Sequence, residues 1–279
     1  MIRRIILLLL VLLTFASSVT TQADIFIVDT NGDADYDSIR DAVRAADNGD
    51  TIEVHSGAYN ESINVNKTLV LKGIDTGGGK PAINSEGIFG DTIVLNADGI
   101  VLNGFDFKGS YNNRDTRYAG IKVISDDNTI IYNSIRDNYK GIEFHRGKNN
   151  IIRYNNISNN NYGLWIFRSE NNTMSDNNVS ENLNNGFFIK SSQLNNITHN
   201  DINNNRRTGI KLENAPRNRI INNNISYHSE VGISVDDYSC SDNDKSVIDE
   251  YKSSNSFKNN KQGDVKTGSG ISYTPLEDE

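Results

Sequence analysis

The chain has 279 residues, a formal net charge of −8 and 36% hydrophobic residues. The negative charge argues against a nucleic-acid partner, and the single cysteine, Cys240, excludes an intramolecular disulfide, so stability must come from packing and hydrogen bonds. The low apolar content would fit disorder, except that the apolar residues recur on a fixed grid.

The chain opens MIRRIILLLLVLLTFASSVTTQA, with Arg3 and Arg4 ahead of an apolar run from Ile5 to Leu13. The run is too short to cross a bilayer and is followed by small and polar residues, the pattern of a secretory signal peptide over 1–23. Thr21 and Ala23 suit cleavage before Asp24. No second apolar stretch follows. The expectation is an exported protein, secreted or at the cell surface (periplasmic in a diderm bacterium), with no membrane span after cleavage.

VDTNGDADYD then places Asp29, Asn31, Asp33 and Asp35 like the start of a calcium loop. Ala34 stands where glycine is expected and Arg40 where a bidentate glutamate is. The stretch therefore reads as a turn with helix-capping aspartates, with calcium as the alternative; no other cofactor is expected. YDSIRDAVRAAD, residues 36–47, sets Ile39, Ala42, Val43 and Ala46 on one helical face. A helix ahead of the first strands would cap the open end of a stack. Strands follow at Thr51–Val54, Ile63–Val65, Leu69–Leu71, Ile93–Leu95 and Ile100–Leu102.

Over 120–235 a strand-like tetrapeptide led by glycine appears at Gly120, Gly141, Gly163, Gly186, Gly209 and Gly232, at steps of 21, 22, 23, 23 and 23 residues. A second element begins at Asn128, Asn150, Asn172, Asn195 and Asn218, and a third at Asn133, Asn155, Asn177, Asn200 and Asn223. Such a period means a solenoid, a propeller or an array. Three short strands per repeat are too few for a propeller blade, and no leucine ladder or helix is present. The prediction for 24–279 is a single all-β domain, a right-handed parallel β-helix of about nine coils with three strands per coil. Parallel coils lie about 4.8 Å apart, which lets a side-chain amide donate to one neighbour and accept from the other. Asn133 to Asn223 should form one such ladder. Asn138, Asn160, Asn182 and Asn205 should form a second, ending at His228. The Asn-x-Ser/Thr sequons at Asn60, Asn66, Asn156, Asn171, Asn178, Asn196 and Asn224 follow from the repeat and show only that glycosylation is possible.

DYDSIRDAVRAADNGDTIEVHSGAYNESINVNKTLVLKG resembles the entry segment of secreted pectin-lyase-like β-helix proteins, and the later repeats resemble those of the NosD-like group, which includes archaeal surface proteins. The resemblance spans nearly all of 24–279. It implies the fold and leaves function open, because the superfamily holds lyases, hydrolases, esterases, epimerases, adhesins and proteins without known activity. NosD itself implies copper delivery, which needs histidine, cysteine or methionine donors. His55, His145, His199, His228, Cys240 and Met174 fall on different elements without ligand spacing, so no metal site is expected. Of the polygalacturonase-like motifs only Asp126-Asp127 is present, and it lies in a repeat turn; the esterase and epimerase motifs are missing.

Strand alternation points two rows outward on the Gly strands. The first is Lys122, Glu143, Trp165, Phe188, Lys211 and Ser234; the second is Ile124, His145, Phe167, Lys190, Glu213 and Asp236. Trp165, Phe167 and Phe188 should form an exposed platform ringed by Glu143, His145, Lys190, Lys211 and Glu213. Extra residues in FKGSYNNRDTRYA and in DDYSCSDNDKSVIDE (the 236–250 insertion) border the same sheet and could wall a groove; 264–279 would be a tail. The expected job is non-catalytic, binding a polysaccharide or cell-envelope glycan. The alternatives are a carbohydrate-active enzyme and NosD-like metal handling. A retaining hydrolase would use Glu213 and Asp236, about 5 Å apart in adjacent coils; a lyase would use Lys190, Lys211 or Arg168 as base. A covering loop, the C-terminal tail or a contact with a second copy would be the packing explanation of the aromatics.

Overall fold

A computed structural model describes residues 23–32, 34–109, 117–240 and 245–268. The apolar run Ile5–Leu13, Asp33, parts of both insertions and the end of the tail lie outside the described residues.

The chain winds through three nine-stranded sheets, every strand pairing parallel with its counterpart in the next coil. One sheet runs from Ile63–Val65 through Ala119–Val123, Lys140–His145, Tyr162–Phe167, Phe187–Lys190, Ile210–Glu213 and Ile233–Val235 to Val265–Thr267; we call it the Gly sheet. The second starts at Ile25–Val28 and ends at Arg219–Ile221, and the third runs from Ala58–Tyr59 to Ser256–Lys258. This is the predicted parallel β-solenoid of about nine coils. Each strand sends alternate apolar residues inward, so that Ile121, Ile142, Leu164, Phe187, Ile210 and Ile233 form one fully buried column.

The glycines that lead the repeat are forced by packing. A Cβ on Gly163 would lie 2.4 Å from the Gly186 carbonyl oxygen and 2.8 Å from Val179 Cγ1. No other residue lets the chain turn that close to the next coil.

The asparagines form three ladders, one more than predicted. Asn128, Asn150, Asn172, Asn195 and Asn218 make the third; from Asn150 on, each Oδ1 accepts the backbone N–H and the amide Nδ2–H of its predecessor, and Asn128 Oδ1 accepts the Ile100 N–H. The ladder from Asn133 continues past Asn223 to Asn255. The ladder from Asn138 does not end at His228, because the imidazole takes the place of the amide. Nδ1 accepts the Asn205 N–H at 3.2 Å, Nε2 donates to the Ile202 carbonyl at 3.1 Å, and the His228 N–H passes on to Asn260 Oδ1. Nor do the ladder asparagines carry the left-handed corners themselves. The residue before each does: Tyr132 at φ 57°, Tyr154 at 57°, Asp176 at 56°, His199 at 57° and Asn222 at 57° precede Asn133, Asn155, Asn177, Asn200 and Asn223. The left-handed cost of about 1–2 kcal/mol per residue is offset by the amide that fixes the next backbone N–H.

Both ends of the core are covered. The helix Ile39–Ala45 buries Ile39, Ala42 and Val43. Its N-terminus is capped by Ser38 and by Glu61, which accepts from the N–H groups of Ile39 and Arg40, while Asp29 and Asp35 accept the N–H groups of Asn31 and Ile27 instead. Lys67 Nζ reaches the carbonyls of Val43, Arg44 and Ala46 at the other end. In the last coil the helix Lys245–Ser253 follows where the second sheet stops. Tyr251 is buried and donates to the Asn218 carbonyl at 2.8 Å. The helix packs against Arg219–Ile221 of the second sheet and Val265–Thr267 of the Gly sheet, so this described part of the insertion closes the end of the stack.

Candidate functional site

Alternation places the predicted residues on the outer face of the Gly sheet, in register. Glu143, Trp165, Phe188, Lys211 and Ser234 are paired across successive coils, and so are His145, Phe167, Lys190 and Glu213. The two rows differ in exposure.

The first row is covered. Trp165 is 9% exposed, Phe188 6% and Glu143 7%, which corrects the expected aromatic platform. Tyr162 meets the Trp165 ring edge-on at 4.9 Å, and Trp165 meets Phe188 at 4.5 Å. Lys140 Nζ lies 5.0 Å from the Trp165 centroid and 2.5 Å from Glu143 Oε1. Lys211 Nζ sits 5.5 Å from the Phe188 centroid and 2.7 Å from Glu213 Oε1. Burial in this knot raises the Tyr162 phenol pKa, with Tyr139 adding to the effect. Tyr139 and Lys140, at the strand start, are the residues that sequence alternation did not weigh. Their signal was their place one coil before Tyr162, which also stacks on this face.

The second row is reachable. His145 and Phe167 are half-buried, with ring centroids 5.4 Å apart, and the exposed Arg168 guanidinium lies 4.7 Å from the Phe167 ring. Burial lowers the His145 pKa against the opposing pull of Glu143. Lys190 and Glu213 continue the row, both half-buried. The row borders a cleft of about 290 Å³ at the corner of the next three coils, lined by Arg168, Ser169, Glu170, Ser191, Ser192, Gln193, Asn214 and Pro216. Of these only Arg168 was predicted. The sequence signal was the small pair Ser191-Ser192 set between Arg168-Ser169 and Asn214-Ala215 on the grid.

Both members of the proposed acid pair have partners within the protein. Asp236 Oδ2 accepts the Asn214 N–H at 2.8 Å, and its Oδ1 takes the Ser239 N–H at 2.9 Å and the Ser239 hydroxyl. Glu213 is paired with Lys211. As lyase bases, Lys211 is tied to Glu213 and Arg168 lies against Phe167.

The candidate metal donors do not converge. His55 Nδ1 bonds Asp29 at 3.1 Å, His199 Nε2 faces Asn222, and both His228 nitrogens belong to the ladder. Met174 is fully buried and Cys240 is buried. In the calcium-like stretch, Asp29 takes the Asn31 N–H and Asp35 takes the Ile27 N–H, both at 2.8 Å. The Asn31 bond and then His55 hold the Asp29 carboxyl below its ordinary pKa. Among the described residues no three His, Cys, Asp or Glu side chains come together to hold an ion, and the donor set does not fit a copper centre.

Residues 82–276 match the family model described as periplasmic copper-binding protein (NosD). No curated protein matches the sequence. The fold is similar to that of pectate lyase Pel9A (TM-score 0.59, 16% identity, 90% of this chain and 79% of that one). It is also similar to a GH136 lacto-N-biosidase from Eubacterium ramulus (0.55, 9%, 88% and 68%) and to the enzymatically active domain of bacteriophage CBA120 tailspike protein 2 (0.53, 11%, 88% and 47%). At these identities the likeness is one of fold.

Proposed function

The chain belongs to the NosD family, a periplasmic family, and on that premise we propose that it is an exported, non-catalytic glycan-binding protein of the cell envelope. The observation that carries this is the accessible second row. His145, Phe167 with its stacked Arg168, Lys190 and Glu213 run across four consecutive coils and open into the polar corner cleft. An extended chain of sugars laid across the coils would meet an aromatic edge, then cationic and acidic hydrogen-bonding groups, then the cleft, which is sized for a ring or two. The described fold contains no helix long and apolar enough to cross a membrane. The signal segment supplies the route for export.

Catalysis is the second reading and nothing in the geometry favours it, because Asp236 and Glu213 are already committed to other groups. Copper handling is the weaker reading, because among the described residues the histidine, cysteine and methionine donors do not come together. Retention on immobilised polysaccharides tests the proposal: Phe167→Ala combined with Arg168→Ala should abolish retention of whichever glycan holds the parent protein, with the melting temperature little changed. Retention that survives both changes, or release of reducing ends or unsaturated uronates by the parent protein, would overturn it.

A further inference from the structure

On the outer face of the Gly sheet, carboxylates neutralise Lys122, Lys140 and Lys211: their partners are Asp91, Glu143 and Glu213. At the corner that follows this face the pattern stops. The register that pairs His145 with Phe167, Phe167 with Lys190 and Lys190 with Glu213 sets the next residues, Arg146, Arg168, Ser191 and Asn214, in one column. The Arg146 N–H bonds the Phe167 carbonyl and the Arg168 N–H the Lys190 carbonyl, which ties these coils together. Both arginines are exposed, and among the described residues neither guanidinium has an ion-pair partner.

Two like charges one coil apart, about 4.8 Å along the axis, repel each other. The carboxylates nearby are already engaged. Glu170 lies 2.7 Å from Lys148 Nζ and accepts from Gln193 Nε2, and Asp126 accepts the Lys148 N–H at 2.7 Å. Arg217 adds a further cation, bonded to Gln193 Oε1 at the cleft. The corner is therefore a positive patch on a chain of net charge −8. His145 senses the same field: burial is the largest cause of its lowered pKa, Glu143 opposes it, and the charges of Arg146, Lys122 and Arg168 add to it.

We propose that Arg146 and Arg168 together hold a tetrahedral oxyanion, a sulfate or phosphate monoester carried by the bound glycan. This rests on the reading of the face as glycan-binding and names the class of glycan. A guanidinium presents its N–H donors as a planar fork that fits two oxygens at once. A carboxylate has two oxygens and is filled by one fork, whereas a monoester has three terminal oxygens and can be shared by two forks on adjacent coils. Arg168 lies against the Phe167 ring at 4.7 Å, a contact through its flat face that leaves the in-plane donors free. Ser191 and Asn214, which follow in the column and line the cleft, have no side-chain hydrogen bond among the described residues and can take the neighbouring ring hydroxyls.

The test uses the full mature protein and four polymers of one backbone: dextran, carboxymethyl dextran, dextran sulfate and dextran phosphate. Calorimetry should show the sulfate or the phosphate binding most tightly, and the tighter of the two identifies the ester. Arg146→Gln should weaken that binding about tenfold or more, the scale of one charge-assisted contact. Arg44→Gln, an equal change of charge on the first helix, should leave it unaltered. Carboxymethyl dextran binding as tightly as the esters, no binding of either ester, or equal losses in Arg146→Gln and Arg44→Gln overturns the oxyanion site. Retention of a neutral polysaccharide that needs Phe167 and ignores Arg146→Gln overturns it too, and leaves the glycan-binding reading of the face standing.

Discussion

The backbone N–H of Asn205 points at Nδ1 of His228, 3.2 Å away, at the place where the preceding coils offer an amide oxygen. The imidazole is thus held as the neutral Nε2–H tautomer, with no exposed surface. Burial pushes its pKa down to about 4.

This substitution makes the last coils acid-sensitive. An unfolded histidine titrates near 6.5, so above that pH both states are neutral and the contribution to stability is complete. As pH falls from about 6.5 towards 4, the unfolded chain binds a proton that the folded chain refuses, and stability drops by on the order of 3 kcal/mol across the window. Below pH 4 the loss levels off. His228→Asn should restore an amide rung and flatten this part of the profile, measured as denaturant midpoints between pH 4 and 7. An equally steep profile in the variant would assign the acid sensitivity to other groups.

Asn155 Oδ1 accepts both the backbone N–H and the amide of Asn133, and Asn177 does the same for Asn155. Asn155→Ala or Asn177→Ala leaves two buried donors without an acceptor, at roughly 1–3 kcal/mol each. Chemical denaturation should show the loss for both. Unchanged midpoints would mean that water replaces the amide and that the ladder adds little.

Gly163 separates a steric demand from a conformational one. Its strand backbone suits any residue, yet a Cβ has 2.4 Å to the Gly186 oxygen. Gly163→Ala should cost about 3 kcal/mol or more, the scale of overpacking a core, because the coil spacing would have to open locally. A stable alanine variant would show that the stack stretches at little cost.

The period, the three sheets and the outward rows were legible because glycine and asparagine repeat at fixed intervals and strand side chains alternate. The third ladder was visible in the same asparagines, Asn128 to Asn218, but the amides' partners are set by coil spacing and not by sequence. His228 looked like an end because sequence similarity treats histidine and asparagine as unlike, whereas the ladder requires only an acceptor and a donor set at the right angle. Trp165 looked exposed because alternation gives direction without giving cover. Tyr162, at the start of the same strand, and Lys140, at the start of the strand before it, cover the ring, a feature of three-dimensional stacking that the two-residue period does not contain.

That difference between direction and cover yields opposite expectations for two neighbouring aromatics. Trp165 and Phe167 point the same way from one strand, but Trp165 is 9% exposed and locked between Tyr162, Phe188 and the Lys140 ammonium, while Phe167 is half-open beneath Arg168. Trp165→Ala removes a packed ring and should cost about 3–5 kcal/mol, in the range of large aromatic deletions from cores. It should also free Lys140 to leave Glu143. Phe167→Ala removes a ring that water already reaches, so its cost should be near 1 kcal/mol, with the loss appearing in glycan retention. Measuring melting temperature and retention for both variants decides the matter. If Trp165→Ala leaves stability unchanged and abolishes retention, the first row is the binding surface after all; if Phe167→Ala lowers stability as much as Trp165→Ala does, the second row is packing too, and the Gly sheet offers no ligand face.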